Sequence, residues 1–190
     1  ALSLYPQYST ATGGSSLADL QDALIAAGLI DIPLAEIRSF AGAPFYLDAT
    51  AGMVREALAA SGGPAPHVLF SAHGLPASYV ANGDPYRHEI ETTFRGVVAR
   101  LPGGIDASLA FQSRVGPAEW LRPYTDGHLR ELAGRGVRRL LMVPLAFVSD
   151  HVETLYEMDL LYGGLARSLG IADFRRVPAL NDHRPFLDGL

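Results

Sequence analysis

Neither cysteine nor lysine occurs among the 190 residues of this chain. Without cysteine, disulfides, thiolate metal sites and iron–sulfur ligation are excluded within it, and a reducing compartment is the fitting environment. Without lysine, all fifteen basic residues are arginine, which excludes Schiff-base chemistry and a Walker-type phosphate lysine. Long apolar runs are missing too. The longest, LLMVPLAFVS at 140–149, falls well short of the roughly 20 residues that span a bilayer and reads as a buried strand. The opening ALSLYPQYS has neither the charged n-region nor the apolar h-region of a signal peptide. These features read as a cytoplasmic protein without a transmembrane segment, with peripheral membrane contact left open. A net charge of −5 argues against a nucleic-acid partner. The basic cluster Arg135, Arg138 and Arg139 reads as a solvated face. No glycine-rich dinucleotide fingerprint or P-loop opens a helix.

What is present is an alternation of strand and helix in a chain that is 48% hydrophobic, enough to bury an ordinary core. Residues 2–6 and 35–40 read as strands. Residues 17–28 read as a helix stopped at Gly28, and 44–60 as a second helix, with Gly62-Gly63-Pro64 as a boundary. Beyond it come strands at 67–71, 108–113, 138–148 and 174–177, interleaved with helices at 85–101, 118–136 and 150–169. This alternation predicts an α/β fold with parallel sheets flanked by helices. Residues 64–190 read as a Rossmann-like unit with a four-stranded parallel sheet. Residues 1–63, with two strands, are a thin basis for a layered domain of their own.

The densest chemistry lies in VPLAFVSDHVETLYEMD at 143–159, where a strand runs into a helix carrying Asp150, His151, Glu153 and Glu157. Ligands of open α/β sheets bind at the carboxyl ends of strands. Capping explains part of this: Ser149 or Asp150 can cap the helix, and Asp150 with Glu153 has capping-box spacing. It leaves His151 unexplained. Glu153 and Glu157 share a face, where like charges repel, which suggests that they face something cationic. Ser149-Asp150-His151 is no triad, because adjacent helical residues point apart. His73, at the end of another strand of the same sheet, reads on pattern alone as a histidine satisfied by nearby backbone, and Trp120 as a core residue. His73 and Glu153, at the ends of two strands of one sheet, can also face one cleft.

SDHVETLYE resembles the signature helix of ferrochelatases, which insert ferrous iron into a porphyrin. LFSAHGLP (69–76), GDPY (83–86), FQSRVGPAEWLRPYTD (111–126) and LYPQYSTATGGSS (4–16) resemble that family in the same order and at the same spacing. The resemblance implies two chelatase-type Rossmann-like domains with a porphyrin cleft between them, residues 1–63 being the back part of a first, incomplete domain and residues 64–190 the second. It implies a chain cut at both ends, porphyrin and Fe²⁺ as substrates, and no tightly bound cofactor. It assigns His73 and Glu153 as catalytic and metal-contacting residues. Trp120 and Phe147 would line the porphyrin pocket, and His151, Glu157, Ser113, Leu75, Tyr5 and Gln112 would occupy other pocket or supporting positions. Glu153 and Glu157 resemble the family's acidic row, which aligns best on a locally π-wound helix; Leu161 stands where relatives often carry a third acid. Thr10 stands where cluster-bearing relatives have a cysteine, so no iron–sulfur cluster is expected. A cobalt chelatase of the same fold and a non-catalytic porphyrin- or haem-binding protein are the competing readings. Protoporphyrin and coproporphyrin both remain open as substrate.

Overall fold

Four short strands order the molecule: β1 (His67–His73), β2 (Ala107–Gln112), β3 (Arg139–Pro144) and β4 (Asp173–Arg176). In the computed structural model, which describes residues 1–190, they form one parallel sheet in the order β2-β1-β3-β4. The central pair is buried almost throughout, as strands covered on both faces must be. Around the sheet lie α1 (Ser15–Ala26), α2 (Pro44–Ala59), the short α3 (Ala77–Ala81), α4 (Tyr86–Val98) and α5 (Thr125–Gly134). The closing helical segment has three parts: α6 (Val152–Thr154), a π-helix over Leu155–Tyr162, and α7 (Gly163–Ser168). A last turn, α8, covers Arg184–Leu187.

Strand alternation sorts the core into two layers. Val68, Phe70 and Ala72 of β1 join Leu141 and Val143 of β3 on one face, under Tyr46, Leu47 and Val54 of α2 and Ile90 and Val97 of α4. Leu69, Leu140 and Met142 point the other way, onto Leu129 and Leu132 of α5 and Met158, Tyr162 and Ala166 of the closing helix. Each large apolar side chain so buried contributes about 1.5–3 kcal/mol relative to exposure. The segment carrying α2 therefore shares one core with the sheet.

Several expected elements change. Residues 2–6 and 35–40 form only a single parallel bridge, Leu2 to Ile37, extended by the terminal ammonium donating to the Ala35 carbonyl at 2.6 Å. Pro6 and Pro33 flank this contact and supply no ladder donor. The helix expected over 118–136 begins only at Thr125. Pro123 has no N–H to give a helix. Instead its carbonyl accepts the Phe111 amide at 2.8 Å, and Trp120 bridges Pro76, so 118–124 runs as an irregular strap across the sheet's carboxyl edge. The strand at 138–148 stops at Pro144, and β1 continues two residues beyond expectation, so that His73 ends it. Arg139 is not part of a solvated face. It donates to Asp173 at 2.9 Å, to the Ser61 carbonyl at 2.7 Å and to the Pro64 carbonyl, tying the end of α2 to β3 and β4.

At the amino edge of the sheet, opposite the strand ends that carry His73, a polar cluster sets a pH dependence. The buried His67 ring lies between Asp106 (2.9 Å) and the Ser108 hydroxyl (2.7 Å), and His128 meets that same hydroxyl at 2.9 Å. Asp106 only accepts, so His67 Nδ1 carries the proton and Nε2 accepts from Ser108. Loss of hydration holds His67 below the ordinary imidazole value, against the opposing pull of Asp106; His128 and Arg135 push the same way as burial. A folded value below the unfolded one means that the unfolded chain binds more protons as pH falls through about 6.5. Stability from this group is therefore present above that pH and is lost as pH falls toward the folded value. Thermal melting should show a flat Tm above about pH 7 and a decline below about 6.5 that is smaller in a His67→Gln variant. An equal decline in both proteins would remove His67 from this role.

Candidate active site

Three strands deliver the site. His73 and Gln112 end β1 and β2 side by side, and the ladder runs one residue further, Gly74 N–H donating to the Gln112 carbonyl at 2.8 Å. Glycine is required at 74: a Cβ there would lie 2.7 Å from that carbonyl and 3.0 Å from the Trp120 ring. β3 leaves the sheet at Pro144 and passes through Leu145–Asp150 into α6.

The opening of α6 does not use the Asp150–Glu153 capping box. His151 is the extended N-cap residue, and its amide donates to the Thr154 hydroxyl at 3.1 Å, which in turn donates to the His151 carbonyl at 2.9 Å. Asp150 points away to Arg176, 2.7 Å distant. Glu153, free of capping duty, reaches His73: its Oε1 lies 2.9 Å from His73 Nε2. The π-helix expected under the acidic row is present over Leu155–Tyr162.

Hydrogen bonding fixes how many protons the pair holds. His73 Nδ1 lies 2.7 Å from the Gly74 carbonyl, which can only accept, so Nδ1 carries a proton. Nε2 and the Glu153 oxygen then attract only with a further proton between them, as imidazolium–carboxylate or imidazole–carboxylic acid. The pair is thus a one-proton site. Its partial exposure, 31% for the His73 side chain and 41% for Glu153, lets that proton exchange with solvent. The Tyr86 hydroxyl donates to the His73 carbonyl at 2.8 Å, and burial pushes its titration far above the ordinary phenol range, so it stays a donor.

Around this pair lies a cavity of about 300 Å³ lined by Tyr5, His73, Leu75, Trp120, Phe147 and Glu153, all six read from the sequence. Its walls are aromatic: the His73 ring centroid is 5.9 Å from that of Phe147 and 6.4 Å from that of Trp120, and Tyr5 faces Phe147 at 6.3 Å. Trp120 is oriented by donating to the Val115 carbonyl at 3.0 Å. The remaining expected residues lie elsewhere. His151 packs behind Phe147 with its ring perpendicular at 4.4 Å, and lines a neighbouring cavity that also touches Tyr5 and Glu153. Glu157 accepts from Gln112 Nε2 at 2.8 Å and from the Ser113 hydroxyl. These three share a separate cavity with Arg114 and Asp126. The hydrogen-bond partners of Glu157 are neutral donors, and the arginines Arg114 and Arg130 line the cavity that it faces.

The fourth wall comes from the N-terminal loop, through residues given no role from the sequence. Gln7, Ser9, Ala11 and Thr12 line the cavity. The buried Gln7 amide donates to Thr93 (3.0 Å) and the Leu145 carbonyl (3.2 Å). Asp84 accepts from Thr10 N–H (2.8 Å), the Thr10 hydroxyl (2.6 Å), the Ser9 hydroxyl (3.0 Å) and Tyr86 N–H (2.9 Å). Burial works against that carboxylate, but the Thr10 and Tyr86 donors outweigh it and hold its titration below the usual range. In the sequence, Gly-Asp-Pro-Tyr stands out only through its place in the resemblance.

The fold and site define a class: a doubly covered parallel α/β protein with a histidine–carboxylate proton site at the sheet's carboxyl edge, facing an aromatic cleft. The ferrochelatase family profile matches residues 1–190 in full. The chain belongs to the ferrochelatase family. It is 48% identical over 191 residues to the ferrochelatase of Geotalea daltonii, covering all of this chain and 59% of that protein. It is 49% identical over 193 residues to that of a Synechococcus strain, of which it covers 56%. It is 45% identical over 192 residues to that of Gloeothece citriformis, of which it covers 50%. The chain thus spans about half to three-fifths of the length of the curated relatives it matches.

Proposed function

We propose that this chain carries the catalytic face of a lyase that inserts Fe²⁺ into a porphyrin in haem biosynthesis. The observation that carries the reading is the His73–Glu153 pair, a one-proton site opening onto an aromatic cleft. Metal insertion breaks two pyrrole N–H bonds, forms bonds from nitrogen to iron, and releases two protons whose charge balances the metal's. Once the shared proton has left through Glu153 to water, His73 Nε2 is open to accept a pyrrole proton. Glu153, half-exposed beside it, passes protons to water and offers a hard oxygen to the incoming cation. Trp120, Phe147, Tyr5 and Leu75 supply flat apolar surface for the macrocycle, and stacking against them holds its nitrogens toward His73. Glu157 and Ser113 act at one remove, from a separate cavity. The 1–63 segment, as part of a first domain, brings Tyr5 and the Gln7–Thr12 loop to the cleft. No helix is long and apolar enough to cross a membrane; with no cysteine in the sequence, we place the reaction in the cytoplasm. The test is anaerobic Fe²⁺ insertion by the protein as the cell makes it, with protoporphyrin and coproporphyrin in parallel. Iron porphyrin formed from either one supports the reading. Tight porphyrin binding without insertion would replace the enzyme with a carrier.

A further inference from the structure

We propose that Arg176 is a positioning residue that clasps the π-wound segment and so keeps Glu153 in register opposite His73. The inference rests on the iron-insertion reading above. Arg176 ends β4, and its side chain is only 12% exposed. Its Nε donates to Asp159 at 2.8 Å and a terminal nitrogen donates to Asp150 at 2.7 Å. Asp150 lies three residues before Glu153, and Asp159 lies within the π-helix. One planar guanidinium thus joins both sides of the segment that bears Glu153 and Glu157. Such a forked donor fixes geometry as well as charge, in a way a single ammonium cannot.

The clasp is braced from a second side. Asn181, at a positive φ of 47°, accepts from the Asp150 amide at 2.8 Å and donates to Asp150 Oδ2 at 3.0 Å. Its own amide donates to the Val148 carbonyl at 2.7 Å. Both carboxylate oxygens of Asp150 are therefore engaged, and the loop entering α6 has its path fixed at both 148 and 150. A π-helix is rare, and Arg176, bonded to Asp150 before this one and to Asp159 within it, is the group outside it placed to hold its winding. Neither Arg176 nor Asp159 lines the cavity around His73, so neither touches porphyrin there.

The test compares Arg176→Gln and Arg176→Lys with wild type, in the protein as the cell makes it. In Arg176→Gln, kcat should fall at least tenfold while the porphyrin KM stays within about twofold, because the aromatic walls are untouched. Arg176→Lys, which keeps the charge but not the fork, should recover only part of that loss. Hydrogen exchange supplies the second readout: amides 152–162 should exchange at least tenfold faster in Arg176→Gln, with β1 and β3 amides unchanged. Unchanged exchange across 152–162, or a loss confined to KM, would overturn the clasp. Wild type that inserts no iron would end the enzymatic reading and the Glu153 role with it, while the exchange data would still decide whether Arg176 holds the helix.

Discussion

Replacing His73 by alanine is expected to lower iron insertion by roughly 10²–10⁴-fold, the usual contribution of a positioned general base. Structure should survive the change. The His73 backbone stays in the β1 ladder, and its carbonyl stays anchored by the Tyr86 hydroxyl at 2.8 Å. The side chain gives up one hydrogen bond, to the Gly74 carbonyl, and half of the contact with Glu153. A partly exposed neutral hydrogen bond is worth about 0.5–1.5 kcal/mol. The barrier should rise by about 3–5 kcal/mol, since each tenfold of rate is about 1.4. The two effects therefore separate cleanly in a comparison of rate with Tm. A His73→Ala protein that keeps more than about a tenth of the wild-type rate would remove His73 from the chemistry.

Glu153→Gln should lower the rate at least tenfold, about 1.4 kcal/mol of barrier, with Tm almost unchanged. The sequence alone left Glu153 split between a capping role and a chemical one. With the cap formed by His151 and Thr154, the substitution touches no capping bond. What it alters in stability is the first-turn charge, worth about 0.3–1 kcal/mol against the helix dipole. What it alters in chemistry is larger: glutamine cannot take the proton that His73 shares with Glu153. Glu157→Gln should cost less, because Glu157 meets Gln112 and Ser113 in another cavity. A Glu153→Gln protein with wild-type rate would leave the glutamate without a chemical role, and a slow variant that also melts early would make its role structural.

The parts of this arrangement that could be read from the chain are those governed by local pattern. The four parallel strands followed from apolar runs punctuated by glycine and proline, and six cavity residues followed from motif resemblance, confirmed as neighbours by the geometry. What escaped is long-range. Asp84 gathers Ser9 and Thr10 across some 75 residues of sequence, and nothing local to Gly-Asp-Pro-Tyr announces those partners. Pattern also misjudged the helix at 118–136, since periodicity outvoted Pro123. D-x-x-E spacing leaves a capping role open for Asp150 because it is blind to Arg176, which arrives from β4, 26 residues on. Arg139 was set among solvated arginines for the same reason: its partners Asp173 and Ser61 lie far away in sequence.

The central claim is that His73 and Glu153 act as one proton site, and a double-mutant cycle tests it directly. Single-turnover Fe²⁺ insertion would be measured under anaerobic conditions for wild type, His73→Ala, Glu153→Gln and the double variant. Residues that act as a unit are strongly non-additive, so the double variant should lose about as much rate as His73→Ala alone. Losses that multiply, with the double variant slower by the product of the two single effects, would contradict the account.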